Sequence, residues 1–297
     1  MSKPRPKQIG LMKAKPITDE LARALGPTCF AQPKLRGQHA RVEWIDGDPI
    51  LLSSYGNAFC FMDHIRAELG SLPKLPYCGE LYYHHPEFTQ QKINSICNRT
   101  VNPHPESEKI QFHIFDLAIP ERQKDRIRIL AEELPELDPA NPNYTKDRCV
   151  QLVQTNYISS ENWRPICANY LKHGYEGVIL RSFSGLYSPL DLFASFQRPS
   201  CILKGKPTVL TNCAIIGVRE GEGWAKGMLG AFLVVRECGG SSFYVGTGPE
   251  LTRAKRRIHW ENRDSLIGKI LVVKHEPTST ADGIPICTSA YALKEAK

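Results

Sequence analysis

The chain changes pattern at Pro207-Thr208, and this change limits what it can fold into. Upstream, from Thr28 onward, strand-like and helix-like periodicities alternate; downstream come Asn212 to Val218, Leu229 to Arg236, Ser242 to Val245 and Lys269 to Lys274, four short strand patterns separated by glycine turns. A helix starting near Pro249 interrupts the second set. With 297 residues there is room for two cores, so the expected division is 1–207 and 208–297, with Pro207-Thr208 at the boundary.

The first part reads as a mixture of strands and covering helices. Thr18 to Leu25 predicts a short helix stopped by Gly26-Pro27. Ala40 to Ile45 alternates, Asp46-Gly47-Asp48 turns, and Pro49 to Leu52 returns as the second arm of a hairpin. Helical periods follow at Phe61 to Leu69, Glu121 to Leu134 and Glu161 to His173, with strands at Tyr77 to Tyr83, Ile110 to Leu117 and Tyr175 to Arg181. The second part, some five strands with one helix, fits a small Greek-key barrel such as an OB-fold, a common nucleic-acid platform.

Charge is uneven. Residues 201–297 carry 14 Lys/Arg against 9 Asp/Glu, whereas residues 1–200 carry 24 against 22. A basic C-terminal third suits a phosphate-backbone partner. No apolar run is long enough for a membrane span, and Met1 to Lys7 lacks the apolar segment of a secretion signal. Ten cysteines without a CxxC pair fit neither a zinc site nor a disulfide scaffold, so reduced thiols in a soluble intracellular protein are expected.

Several residues carry chemistry. Lys204 and Lys206 are one residue apart on an apolar strand pattern, so their ammonium groups are expected on one side, where an anion between them relieves their repulsion. Lys34, after an apolar run and before Gly37, is a candidate nucleophile; an amine attacks only when deprotonated, which desolvation or neighbouring positive charge favours. Glu80 and Glu176 stand at Gly-Glu and Glu-Gly steps, where a carboxylate is a candidate Mg²⁺ ligand or acceptor for a sugar hydroxyl. Phe112 and Phe115 offer either core packing or a base-stacking face. Taken singly, each has a plain reading as a surface or core residue.

Their order is more specific than any one of them. Lys34 with its downstream glycine, Gly79-Glu80, Phe112-His113-Ile114-Phe115-Asp116, Glu176 to Arg181, and Leu203-Lys204-Gly205-Lys206 resemble the motif series of the covalent nucleotidyltransferases: ATP-dependent DNA ligases, RNA ligases and mRNA capping enzymes. Gly217 to Gly223, Gly227 to Ala231, Gly246-Thr247-Gly248 and Gly268-Lys269-Ile270 look like the barrel of small bacteriophage-type ATP-dependent DNA ligases. The likeness spans roughly residues 28–290. It implies an α+β fold, with an ATP-grasp-like nucleotidyltransferase domain of antiparallel sheets and flanking helices followed by an OB-fold β-barrel.

The same resemblance implies an enzyme that seals nicks in duplex DNA through a lysyl-AMP intermediate and DNA-adenylate, with ATP and Mg²⁺ as cofactors. On that pattern Lys34 is catalytic; Gln32, Lys34, Arg41, Glu80, Phe115, Glu176, Lys204 and Lys206 bind nucleotide; Glu80 and Glu176 serve the metal. Partners would be nicked double-stranded DNA and ATP, with no membrane, a monomeric state, and a cytoplasmic location, the host's if phage-encoded. The alternatives are an RNA ligase, a capping-type guanylyltransferase, or a catalytically silent DNA-binding relative.

Three positions depart from the family pattern, which usually reads Lys-x-Asp-Gly-x-Arg. Arg36 reverses the charge beside the lysine, His39 stands where an arginine is usual, and Ser54 occupies a place where similar ligases carry arginine. Arg36 or Arg41 is expected to supply the missing guanidinium. The usual arginine-containing final motif is not legible, Lys294 being the one basic residue of Ser289 to Lys294.

Overall fold

The computed structural model describes residues 11–142, 144–145, 147–187, 199–277, 284–286 and 288–295; the start of the basic lead-in and Cys287 lie outside them. The chain divides into two compact units, Met1–Lys206 and Pro207–Lys297.

The first unit begins with β1 (Lys15–Pro16) and α1 (Asp19–Ala24). The Thr18 hydroxyl caps α1 by accepting the Leu21 N–H at 3.1 Å, and Gly26, at φ +110°, turns the chain into β2 (Thr28–Lys34). β3 (Gln38–Ile45) and β4 (Asp48–Ser53) form the expected hairpin. Its turn is one residue tighter than the sequence suggested: Asp46 and Gly47 both take positive φ, the two-residue form whose twist matches the strands. There follow α2 (Asp63–Leu69), β5 (Tyr77–Tyr82), α3 (Gln90–Cys97), β6 (Gln111–Leu117), α4 (Gln123–Glu133), β7 (Val150–Leu152), β8 (Asn156–Ser159), α5 (Trp163–Lys172), β9 (Gly177–Arg181) and β10 (Ile202–Gly205).

These strands make two five-stranded sheets, ordered β1-β10-β9-β2-β8 and β4-β3-β5-β6-β7. Most neighbours are antiparallel, but β1 with β10 and β6 with β7 are parallel, so both sheets are mixed rather than wholly antiparallel. Period-two alternation gives each sheet two different faces. One face of the first sheet carries Ala31, Val178, Leu180 and Leu203, packed with Tyr170 of α5 and Ala22 of α1. One face of the second carries Ala40, Val42, Leu81, Phe112 and Ile114, packed with Ile65 and Leu69 of α2 and Ile93 and Ile96 of α3. The residues alternating with these, Gln32 and Lys34 on β2 and His39 and Glu80 on β3 and β5, are left for a polar interior between the sheets.

The second unit is one antiparallel sheet, β11 (Val209–Glu220), β12 (Leu229–Arg236), β13 (Phe243–Val245), β14 (Ile270–His275) and β15 (Ser289–Lys294), with α6 (Arg253–Glu261) after β13. The order is β13-β12-β11-β14-β15. The Ala290 N–H reaches the Thr247 carbonyl at 2.7 Å, bringing the two edges near each other, yet among the described residues no ladder joins β13 to β15. The expected closed barrel is therefore seen as an open five-stranded sheet around a core of Phe232, Val234, Leu271 and Val273.

All nine described cysteines are free thiols, as expected; Cys60 and Cys238 are exposed and the others buried or half-buried. Among the described residues no helix is long and apolar enough to cross a membrane.

Candidate active site

A cavity of about 270 Å³ opens between the two sheets of the first unit. Its wall includes Gln32, Lys34, His39, Glu80, Phe115 and Lys204, together with Met12, Lys13, Ile179 and Arg181. The parallel pairing of β1 with β10 delivers Met12 and Lys13 there, a contribution the proline-punctuated sequence of the lead-in did not reveal.

Lys34 ends β2 directly across from Gly177 on β9. A Cβ on Gly177, at φ +153°, would stand 2.1 Å from the Gly205 carbonyl, so only glycine lets β9 and β10 approach at this point. The Lys34 ammonium forms an ion pair with Oε2 of Glu176, and Oε1 of the same carboxylate holds Lys206 at 3.2 Å. The carboxylate is only 10% exposed, and the two ammonium groups provide the compensation that a buried charge requires. Lys204 lines the cavity from within β10, while Lys206 lies just past the strand end and turns to Glu176.

Glu80 accepts the Gly37 N–H at 3.1 Å. A Cβ on Gly37 would meet the Leu81 carbonyl at 2.1 Å and the Glu80 side chain at 2.7 Å, which explains the glycine three residues after the lysine. Burial pushes the Glu80 carboxyl up to about 7; the Lys34 ammonium and the Gly37 N–H act against that rise, and Glu176 adds to it. Glu80 therefore titrates near neutrality.

Phe112 is fully buried in the core, whereas Phe115 faces the cavity, its ring 5.2 Å from that of His39 and 5.1 Å from the Arg181 guanidinium. Beneath it lies a buried polar network that the sequence did not disclose. Gln32 is 2% exposed; its amide donates to the Phe115 carbonyl at 3.1 Å and to Thr155 at 2.9 Å, and its oxygen accepts from Arg181 Nε at 2.7 Å. Both amide donors of Gln32, expected at the nucleotide, are thus committed to the protein. Arg181 also donates to Asp116 at 2.8 Å, and the fully buried Arg126 of α4 donates to the same carboxylate at 2.6 Å.

His39 lines the cavity, and burial, then the charges of Arg181 and Lys13, pull its pKa down to about 4, so the ring is neutral at pH 7. Its Nε2 and the Nε of Arg41 are buried without a hydrogen-bond partner. The structure does not bring Arg41 to the cavity wall: the guanidinium is paired with Glu43 on its own strand, opposite Cys78. Arg36 is not on this wall either and lines a neighbouring cavity. Among the described residues no group of three or more His, Cys, Asp or Glu comes together to hold a metal ion.

The fold is similar to that of solved DNA ligases. The structure superposes on a Lig E DNA ligase described as binding DNA with a minimal scaffold, with a TM-score of 0.73 at 23% identity over 96% of this chain and 99% of that one. A second solved structure, Pmar-Lig_PreS3, gives 0.70 at 18% identity over 97% and 68%. In sequence the chain is similar to the DNA ligases of African swine fever virus, 26% identical over 265 residues for both the Kenya KEN-50 and the Malawi Lil 20-1 isolates. That similarity covers 84% of this chain and 59% of each viral protein, so the chain spans less than two thirds of the relatives it matches. No family model matches the sequence.

Proposed function

We infer that this chain is an ATP-dependent DNA ligase that seals nicks in duplex DNA, using Lys34 as the nucleophile that carries AMP. The observation that supports it most is the Lys34–Glu176–Lys206 cluster at the edge of a cavity with an aromatic wall. A resting ammonium cannot attack phosphorus; its proton must leave first, and the Glu176 carboxylate already holds that proton in a hydrogen bond. Attack by Nζ on the α-phosphate then forms a P–N bond as the bond to pyrophosphate breaks. AMP passes next to the 5′-phosphate of the nick, and displacement of AMP by the 3′-hydroxyl closes the strand.

The other residues position and neutralise. Phe115 supplies a stacking face for adenine, while Gln32 and Arg181 hold the floor beneath it. Lys204 and Lys206 balance phosphate charge as it shifts during transfer. Glu80 is within reach of a ribose hydroxyl or a cation. Two carboxylates with no third donor among the described residues suit Mg²⁺, which takes one or two protein oxygens and completes its shell with water and substrate phosphate. When bound, it would neutralise phosphate oxygens and orient them.

In the second unit we read an OB-type platform for the duplex. Arg219 stacks 4.4 Å from the Tyr244 ring, and Trp224 is 67% exposed, an aromatic and basic surface of the sort that binds nucleic acid.

Incubation with Mg²⁺ and α-labelled ATP or GTP tests this reading. Acid-labile, alkali-stable label from ATP on the wild type and none on Lys34→Ala is expected, followed by sealing of a nicked duplex. Absence of label after pyrophosphate treatment to strip any bound AMP would overturn the ligase reading; label from GTP alone would favour the capping-type alternative.

A further inference from the structure

We propose that Lys13 donates a hydrogen bond to a ring nitrogen of the purine base held against Phe115, and so helps to choose the nucleotide. The base is the adenine of the ligase reading, on which the assignment rests. Polar atoms of a base lose water when they enter a cavity, so the wall has to meet them. Gln32 does not: its amide protons go to Phe115 and Thr155, and its oxygen accepts from Arg181.

Strand register places Lys13 at the base end of the wall. Along β2 and β9 the facing pairs run Phe30–Arg181, Gln32–Ile179 and Lys34–Gly177, so Arg181 and Lys34 stand at opposite ends. Lys34 has the Glu176–Lys206 cluster, whereas Arg181 has the Phe115 ring at 5.1 Å. On the far side of β9, Ile202 of β10 lies opposite Arg181, and β1 runs parallel to β10 from the pair Lys15–Leu203. The chain therefore comes into β1 from the Arg181 side, and Met12, Lys13 and Ala14 line the cavity as it does so.

Two groups at this end are uncommitted. Half-buried Lys13 makes no hydrogen bond or ion pair with any described residue, so its ammonium protons are free for a ligand. Its charge is felt at the His39 ring, which lies 5.2 Å from that of Phe115. His39 Nε2 is buried without a partner, and an orphaned polar atom beside a cavity marks a wall built to receive a polar ligand. An ammonium only donates, and the ring nitrogens N1, N3 and N7 of adenine only accept, so the two chemistries match.

The test uses the full chain, wild type and Lys13→Met, with ATP and with 1-, 3- and 7-deaza-ATP, each of which replaces one ring nitrogen by C–H. Nucleotide transfer to the protein is followed by intact mass, as a maximal rate and as the nucleotide concentration that gives half of it. Lys13→Met should raise that concentration for ATP about tenfold, the size of one hydrogen bond to a charged group, at an unchanged maximal rate that also reports folding. One deaza analogue should carry the same tenfold penalty with the wild type and no further penalty with the variant. An unchanged half-saturating concentration would overturn the proposal. So would an equal tenfold loss with ATP and all three analogues, which would place the ammonium on phosphate or ribose. Failure of the ligase reading looks different: the wild type itself gains no mass from ATP.

Discussion

Lys34 and Glu176, 142 residues apart, are joined twice: the side chains form an ion pair, and the Glu176 N–H donates to the Lys34 carbonyl at 3.0 Å. The backbone bond fixes where the carboxylate starts, and the ion pair fixes where the amine waits. Glu176→Gln keeps the backbone bond but removes the charge that holds both Lys34 and Lys206. Formation of the labelled lysine in a single turnover should fall by at least about 100-fold, with little change in thermal stability.

Asp116 compensates two buried guanidinium groups, so Asp116→Asn should behave in the opposite way. Arg126 and Arg181 would remain in the interior without a counter-charge, which costs about 3–5 kcal/mol. A denaturant titration of the variant should show that loss. A change within 1 kcal/mol would mean that the arginines find water.

The sequence carried the succession of the site's main strands along the chain and most of its helices, because alternation and helical period survive in a single chain. It did not carry the network under Phe115. Arg126 is a charged residue of a helical period, and only the meeting of α4 with β6 and β9, the two strands brought together across 65 residues of chain, makes it an interior residue. Arg36 and Arg41 were legible as replacements for an absent guanidinium. Their side chains go elsewhere because residue 36 follows the end of β2 and residue 41 finds Glu43 two places along its strand. α3 escaped notice because its buried Ile93, Ile96 and Cys97 make too short a stripe among polar neighbours.

His39 and His113 predict acid sensitivity. Burial lowers the first to about 4 and the second to about 3, with Arg181 and Lys13 adding at His39 and His84 adding at His113. A histidine held neutral in the folded state contributes stability fully above its ordinary pKa near 6.5, lost as pH falls toward the folded value. Each should remove about 1 kcal/mol per pH unit below 6.5. Compared with the wild type, His113→Gln should lose less stability between pH 7 and pH 4.5 in parallel melts.

Gly37→Ala tests the close approach of the β2–β3 connection to β5. The added methyl meets the Leu81 carbonyl, so either the connection or β5 must move, at a cost of about 1–3 kcal/mol. Because the same move breaks the bond from Gly37 to Glu80, lysine labelling should fall together with the melting temperature.

Arg256 should be equally demanding in the second unit. It is 9% exposed and donates to the carbonyls of Leu251, Leu229, Gly230 and Gly246 at 2.7–2.8 Å, with no carboxylate among these partners. Arg256→Met leaves four carbonyls without that donor and should destabilise by roughly 3 kcal/mol or more. Arg256→Lys should rescue little, since one ammonium cannot span the fork. Thermal melts of the three proteins decide it.

The distribution of thiols has a practical side. Cys60 and Cys238 are exposed, one in each unit, while burial holds Cys29, Cys78, Cys97, Cys149 and Cys213 at about 11 to 12, far from the thiolate that reagents attack. With Cys287 changed to serine, a maleimide dye should favour the two exposed positions. The native sequence thus comes close to supplying its own pair of fluorophore anchors, from which energy transfer can read the separation of the two units before and after DNA is added.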